Sequence, residues 1–344
     1  MSARDWPGVS VVMPVLNEER HLEASVRRVL DQHYPGDLEV IMAIGPSKDR
    51  TPEIAAALAA GDARLRVVDN PAGRTPHALN LAIAAARHDI IVRVDGHGEL
   101  GDGYIARAVE LLELTGAANV GGVMDARGET PFEEAVACVY STRLGLGGST
   151  FHLESSPAGP ADTVFLGAFR KAAIASVGGF DESMLRAQDW ELNYRLRQAG
   201  QVIWFSPELK VTYRPRSSLK ALVRQMYQTG QWRREVVRRH PGTAGRRYLA
   251  PPLAVAGIAL GMTAGLAGQL VGARWLKLGY LAPLGYAAVV IAGTLSAPRS
   301  VSRAARTRLP IVLVATHLSW GTGFLVGLPR KTQHPETDSP RRSA

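Results

Sequence analysis

Residues 8–19 read GVSVVMPVLNEE. The apolar run Val9–Leu16 is short, is broken by Pro14, and is followed by no small-residue cleavage site, so it reads as a buried strand and not as a signal peptide. Asn17 can cap a helix that opens at Glu18. Similar apolar runs recur at Leu38–Ile44, Leu65–Val68 and Asp89–Val94. Helix-like stretches lie between them at Glu18–Gln32, Pro52–Ala60 and Thr75–Arg87. This alternation predicts an α/β fold, a mostly parallel sheet flanked by helices, with ligands gathering at the carboxyl ends of the strands.

With 46% hydrophobic residues over 344 positions, the chain can bury a large core and most of it is not disordered. One cysteine, Cys138, excludes a disulfide framework and any cysteine-based metal cluster. The formal charge of +9 is uneven. Residues 1–204 carry 19 Lys+Arg against 27 Asp+Glu, and residues 205–344 carry 21 against 4. An acidic body is therefore joined to a basic end that faces a membrane or a partner. Three uncharged stretches explain that end: Tyr248–Ala273, Leu278–Ala297 and Leu309–Pro329. A bilayer core takes about 20 apolar residues in a helix. Thr316, His317 and Ser319 make the third stretch polar in its middle, so it reads either as a full span or as a re-entrant or interfacial helix. The Lys/Arg bias puts the body and the loop after the second span in the cytoplasm, at the inner (plasma) membrane. The basic residues flank apolar spans and form no groove with interleaved aromatics, which argues against nucleic acid as a partner. The expected organisation is a catalytic domain over 1–216 and a basic amphipathic interfacial helix over 217–247. Two to three transmembrane helices follow within 248–329 (about 248–273, 278–297 and 309–329), then a disordered tail over 330–344.

Four clusters carry possible chemistry. Pro14–Glu19 ends the first strand and opens a helix that Asn17 can cap; Gly45–Thr51 follows the second strand and is an ordinary turn or presents backbone amides to a phosphate or sugar hydroxyl. Arg93-Val94-Asp95-Gly96-His97 follows the fourth strand; a carboxylate and an imidazole two residues apart can share a divalent ion, or Asp95 can cap a turn. Gln188-Asp189-Trp190-Glu191-Leu192-Asn193-Tyr194-Arg195 follows the Gly178-Gly179 turn; Asp189 near a helix start is a general base or an N-terminal cap. The stretch Arg143–Ala161, rich in Gly, Ser and Pro, reads as a mobile loop over the acceptor site.

The succession PVLNEE, SKDRT, RVDGH, GGFDE and QDWELNYR, followed by basic apolar helices, resembles the family 2 inverting glycosyltransferases of the GT-A fold. It is most similar to the succinoglycan-type exopolysaccharide glycosyltransferases, which share the Asp-x-His variant and the ELNYR run. The resemblance covers about residues 8–240. It implies a nucleotide-diphosphate sugar donor bound by Pro14, Asn17, Glu18, Asp49 and Asp95. It implies a divalent metal, Mn²⁺ or Mg²⁺, at Asp95 and His97, and Asp189 as the catalytic base. Gln228-Thr229-Gly230-Gln231-Trp232 resembles the family's Gln-x-x-Arg-Trp motif with Gln231 in place of Arg. That match implies acceptor or phosphate contacts at Gln228, Trp232 and Arg233, and Gln188, beside the base, is expected in the same role. An interfacial helix with an aromatic anchor reads the same residues equally well. The Asp-Asp pair that many relatives carry after the second strand is here Ile44-Gly45, which leaves the nucleobase open.

The expected function is transfer of a sugar to a hydroxyl of a lipid-linked glycan in exopolysaccharide or cell-envelope synthesis. The alternative is a polyprenyl-phosphate sugar synthase, in which the lipid phosphate itself is the acceptor and needs no base.

Overall fold

Val9–Val15 forms β1, buried on both faces as the apolar run predicts. It pairs in parallel with β2 (Leu38–Ile44), from Val9 opposite Leu38 to Val15 opposite Ile44. The computed structural model describes residues 5–146 and 148–329, so the expected tail at 330–344 lies outside the described residues. Helix α1 (Leu22–Leu30) joins these two strands, and α2 (Thr51–Gly61) leads to β3 (Leu65–Asp69), parallel to β2. Helix α3 (Thr75–Ala85) leads to β4 (Ile90–Arg93), parallel to β1 on its other side. The chain continues through β5 (Glu99–Leu100), α4 (Tyr104–Thr115), β6 (Asn119–Ala126), α5 (Pro131–Tyr140), β7 (Gly159–Pro160), β8 (Phe165–Arg170), α6 (Lys171–Ser176), α7 (Gln188–Gln198) and β9 (Ile203–Tyr213).

The strand order is β3-β2-β1-β4-β8-β6-β9-β5, with β7 on β9. The half built on β1–β4 is parallel. β8 runs antiparallel to both β4 and β6, so the sheet as a whole is mixed. Period-two alternation divides the core. Val9, Val11 and Met13 face α1 and α4, while Val12, Ile41 and Ile91 face α3 and α7 through Leu79, Phe180, Leu192 and Leu196. The ends of β1, β2 and β4 therefore open at one edge of the sheet, and α7 packs on the face beside it. At the far end, the buried Glu39 carboxylate accepts from Ser10 Oγ (2.7 Å), Arg87 N (2.7 Å) and Arg66 (3.2 Å). The segment expected as a mobile loop holds a 3-10 turn at Thr150–His152 and the short strand β7. Phe151 stacks on Phe165 there, at 6.3 Å between ring centroids.

The chain divides into two units. The first takes residues 1–215 together with 297–306. The short helix α11 (Arg303–Arg306) of that added segment packs on α5. Ser302 N and Oγ donate to the two Glu134 carboxylate oxygens at 2.6 and 2.5 Å, and Ala305 is fully buried. The second unit holds α8 (Leu219–Arg239), α9 (Arg246–Leu270), a 3-10 stretch Arg274–Tyr280 running into α10 (Leu281–Leu295), and α12 (Leu309–Val326). Arg246–Leu270, Arg274–Leu295 and Leu309–Val326 are each long and apolar enough to cross a membrane. Gly261 and Gly279 bring α9 and the 3-10 stretch together. A Cβ on Gly261 stands only 2.4 Å from Gly279 O, the small-residue contact that membrane helices favour.

Candidate active site

The loops after β1 and β2 are stitched to one another. Asn17 takes a left-handed backbone, φ 56°, tolerated by its short amide side chain. Its N–H donates to Ser47 Oγ (3.0 Å) and its Oδ1 accepts from Lys48 N (2.8 Å). Glu18 N donates to Thr51 Oγ1 at 2.7 Å. Asp49 accepts from Thr51 Oγ1 (2.6 Å), Thr51 N (3.1 Å) and Glu19 N (3.2 Å), and the Thr51 hydroxyl in particular holds its carboxyl below the ordinary carboxylate range. Asn17, Glu18 and Asp49 are thus brought together, and the Asp49 carboxylate is engaged in holding the two loops. Pro14 lies within β1, opposite Ala43.

The turn after β4 closes on the same loops. Gly96 lets it press on Glu18, whose Cγ stands 3.0 Å from where a Cβ would be. His97 Nδ1 lies 2.8 Å from Glu18 Oε1. Ser25 Oγ of α1 donates to Gly98 O at 2.7 Å and pins the turn. Glu18, Asp95 and His97 therefore border one space.

Asp189 reaches this space from α7. Ala187 precedes the helix with φ 59°, a strained conformation for alanine, of the kind that gathers at functional sites. The rest of the QDWELNYR run anchors the helix. Arg195 grips the buried Glu191 carboxylate (2.7 and 2.8 Å) and donates to Gly179 O (2.8 Å), tying α7 to the glycine turn. Asn193, fully buried, accepts from Asn119 Nδ2 and donates to Thr163 Oγ1, both at 2.8 Å. Asn80 of α3 holds the turn through Phe180 N and O, both at 2.9 Å. Trp190 stacks on Tyr194 along another stripe, 5.4 Å between centroids.

Arg93 joins the two acids. Its side chain is 4% exposed, its Nε donates to Asp95 Oδ1 at 3.0 Å, its NH2 lies 2.9 Å from the same oxygen, and its NH1 contacts Asp189 Oδ1. Burial pushes the Asp189 carboxyl up to about 6, against the pull of Arg93, and Asp95 adds to the rise. The side chain keeps 27% of its surface open to solvent. A carboxyl of that strength is mostly ionised at neutral pH. The sequence reading missed the role of Arg93. The signal was a charged residue closing the apolar strand IIVR two positions before Asp95. It also missed the pairing of His97 with Glu18 and the anchoring roles of Glu191, Asn193 and Arg195. Gln188 stands beside Asp189 in the first turn of α7. Gln228, Trp232 and Arg233 fall in the second unit, on α8. There Trp232 is buried, and Arg233 lies over the Tyr248 ring at 3.4 Å and donates to Thr243 O at 2.8 Å.

Residues 10–173 match the family described as Glycosyl transferase family 2. The chain belongs to glycosyl transferase family 2 and is a glycosyltransferase of the GT-A fold. Over 322 residues it is 33% identical to the succinoglycan biosynthesis protein ExoA of Rhizobium meliloti (strain 1021), covering 91% of this chain and 93% of that one. It is 25% identical over 231 residues to a dolichyl N-acetyl-alpha-D-glucosaminyl phosphate 3-beta-D-2,3-diacetamido-2,3-dideoxy-beta-D-glucuronosyltransferase of Methanococcus voltae, covering 64% of this chain and 71% of that one. In structure it is similar to the mannosyltransferase PcManGT of Pyrobaculum calidifontis, solved in complex with GDP-Man and Mn²⁺. The TM-score is 0.56 at 20% identity, covering 91% of this chain and 88% of that one.

Proposed function

We propose that this enzyme transfers a sugar, with inversion, from a nucleotide-diphosphate donor to a hydroxyl of a lipid-linked glycan in exopolysaccharide or cell-envelope glycan synthesis. It works from the cytoplasmic side of the inner membrane. The observation that carries the reading is Asp189, a partly open carboxylate with its pKa raised to about 6, clamped by Arg93 beside Asp95. The names of the exopolysaccharide and glycolipid-linked relatives support the acceptor class. The three apolar helices and the Lys/Arg bias support the location.

The Asp189 carboxylate accepts the proton of the acceptor hydroxyl as that oxygen attacks the anomeric carbon on the face opposite the diphosphate. Arg93 fixes the orientation of Asp189 and keeps it ionised near neutral pH. The Asn17 and Asp49 loops, whose backbone amides are held by the Ser47, Asn17, Asp49 and Thr51 side chains, form the nucleotide end of the site, with Asn17 and Glu18 at its edge. Among the described residues no group of three or more His, Cys, Asp or Glu is arranged to hold a metal alone. Asp95 and His97 suit a cation that completes its shell with substrate phosphates. Asp95 meets Arg93 through Oδ1 alone, and imidazole adds a nitrogen donor. A divalent ion held there, Mn²⁺ or Mg²⁺, would supply Lewis-acid neutralisation of charge on the leaving diphosphate.

The test is transfer from labelled nucleotide sugars to lipid-linked glycan and, separately, to polyprenyl phosphate. The proposal expects glycan extension that is lost in Asp189→Asn. Full activity of Asp189→Asn on polyprenyl phosphate alone selects the phosphate-acceptor reading instead.

A further inference from the structure

The third apolar helix differs from the other two. Of its apolar stretch 44% is buried within the protein, against 17% for Arg246–Leu270 and 6% for Arg274–Leu295. Its cover is α8, and α8 is charged. Lys220, Arg224, Arg233, Arg234, Glu235, Arg238 and Arg239 all lie within Leu219–Arg239. Each charge costs about 2.5–3.5 kcal/mol at the centre of a bilayer, so α8 stays out of the hydrocarbon.

Two glycines bring α12 onto α8. A Cβ on Gly230 stands 2.0 Å from Trp320 O, and one on Gly323 stands 2.0 Å from Tyr227 O. The carbonyls that end α12 are satisfied by α8 side chains. Gln231 Nε2 donates to Gly327 O at 2.7 Å, and Arg234 donates to Phe324 O (3.4 Å) and Leu325 O. The same stretch touches the entrance of α9, because a Cβ on Gly321 stands 2.4 Å from Pro251 O, a turn and a half from the basic start Arg246-Arg247. The C-terminal end of α12 is thus held at the level where α9 begins. Its N-terminal end follows α11 after only Thr307 and Arg308, and α11 belongs to the catalytic unit. Crossings by α9 and by the 274–295 helix return the chain to the side on which α9 begins before α12 starts, so both ends of α12 fall on that side.

We propose that α12 does not cross the bilayer. It lies against α8 in the headgroup layer, so the chain crosses twice, through α9 and the 274–295 helix, and its C-terminus returns to the catalytic side. The inference rests on the membrane reading given above. Length and charge agree with it. Eighteen helical residues are near the lower limit for a span, and Thr316, His317 and Ser319 interrupt the apolar run. Arg330, Lys331, Arg341 and Arg342 outnumber Glu336 and Asp338 after the helix, the bias of a cytoplasmic segment. The arrangement gives the Gln228–Trp232 stretch of α8 the depth of the lipid head groups, where a lipid-linked acceptor presents its sugar.

The test uses the full chain in membranes, with Cys138→Ala as the background and single cysteines introduced as Val271→Cys or Ala344→Cys. Each is labelled with a membrane-impermeant maleimide before and after permeabilisation. The proposal expects Val271→Cys to label in intact cells and Ala344→Cys to label only after permeabilisation. External labelling of both sites overturns it and restores three crossings. Labelling of Val271→Cys only after permeabilisation overturns the crossing of α9 and the 274–295 helix, and the two-span topology falls with it.

Discussion

Replacing Asp189 by asparagine removes the ionisable oxygen and keeps the shape. With a pKa near 6, about nine-tenths of wild-type enzyme is ionised at pH 7 and about one-tenth at pH 5. The rate of transfer to a hydroxyl acceptor is therefore expected to be half-maximal near pH 6 and to fall about tenfold per unit below it. General-base assistance contributes about 10²–10⁴-fold, so Asp189→Asn should lose that factor in kcat and its residual rate should show no limb near pH 6. Stability moves the other way. The ordinary aspartate value is 3.8, so the unfolded carboxyl ionises first. Folding stability then falls as pH rises from about 4 through about 6, by about 3 kcal/mol in all, and stays at the lower level above that. The Asp189→Asn variant escapes this loss while Arg93 keeps Asp95 as its partner. In detergent, the variant's Tm at pH 8 should exceed the wild type's by several degrees, and the two should converge near pH 4. Saturating-donor rates across pH 5–8 and thermal unfolding at both ends of that range are the measurements. Wild-type rates in Asp189→Asn, or a wild-type profile flat between pH 5 and 7.5, would refute the reasoning.

Arg93→Met removes a buried counter-ion from two acids. It should cost about 3–5 kcal/mol and move the acidic limb above pH 6, whereas Arg93→Lys should hold the limb near its place; unfolding and pH profiles of the pair decide this. Glu39, held near a pKa of about 2, stabilises the fold above its ordinary 4.5. That contribution, about 3 kcal/mol, should vanish as pH falls from 4.5 through 2, and Glu39→Gln should show a correspondingly shallower acid transition. Chelation should abolish transfer. His97→Asp should shift the restoring ion from Mn²⁺ toward Mg²⁺, read as the ratio of rates with each metal.

Much of the site was legible because its parts are local. A strand that ends in Asp-Gly-His announces its turn, and an acid in a first helical turn announces its helix. The clusters at Asn17–Glu18 and Asp49 could be placed at strand ends one by one. That they bond to each other was not legible, since Ser47 and Thr51 look like ordinary turn residues until the parallel register of β1 and β2 sets the two loops side by side. The antiparallel insertion of β8 was missed for a related reason. FLGAFR is short, carries a glycine, and has no alternation to mark it.

By itself, then, the sequence determined the alternation of strands and helices, the acids at strand ends and the apolar helices with their basic flanks. Each of these is written in periodicity and spacing within a few tens of residues. Only the tertiary structure decided that Arg93 meets Asp189, 96 positions away, and that burial raises the Asp189 pKa. It alone decided that α12 lies on a charged helix through glycine contacts. Desolvation and close backbone approach depend on which distant segments the packed core brings together, and composition along the chain does not encode that locally.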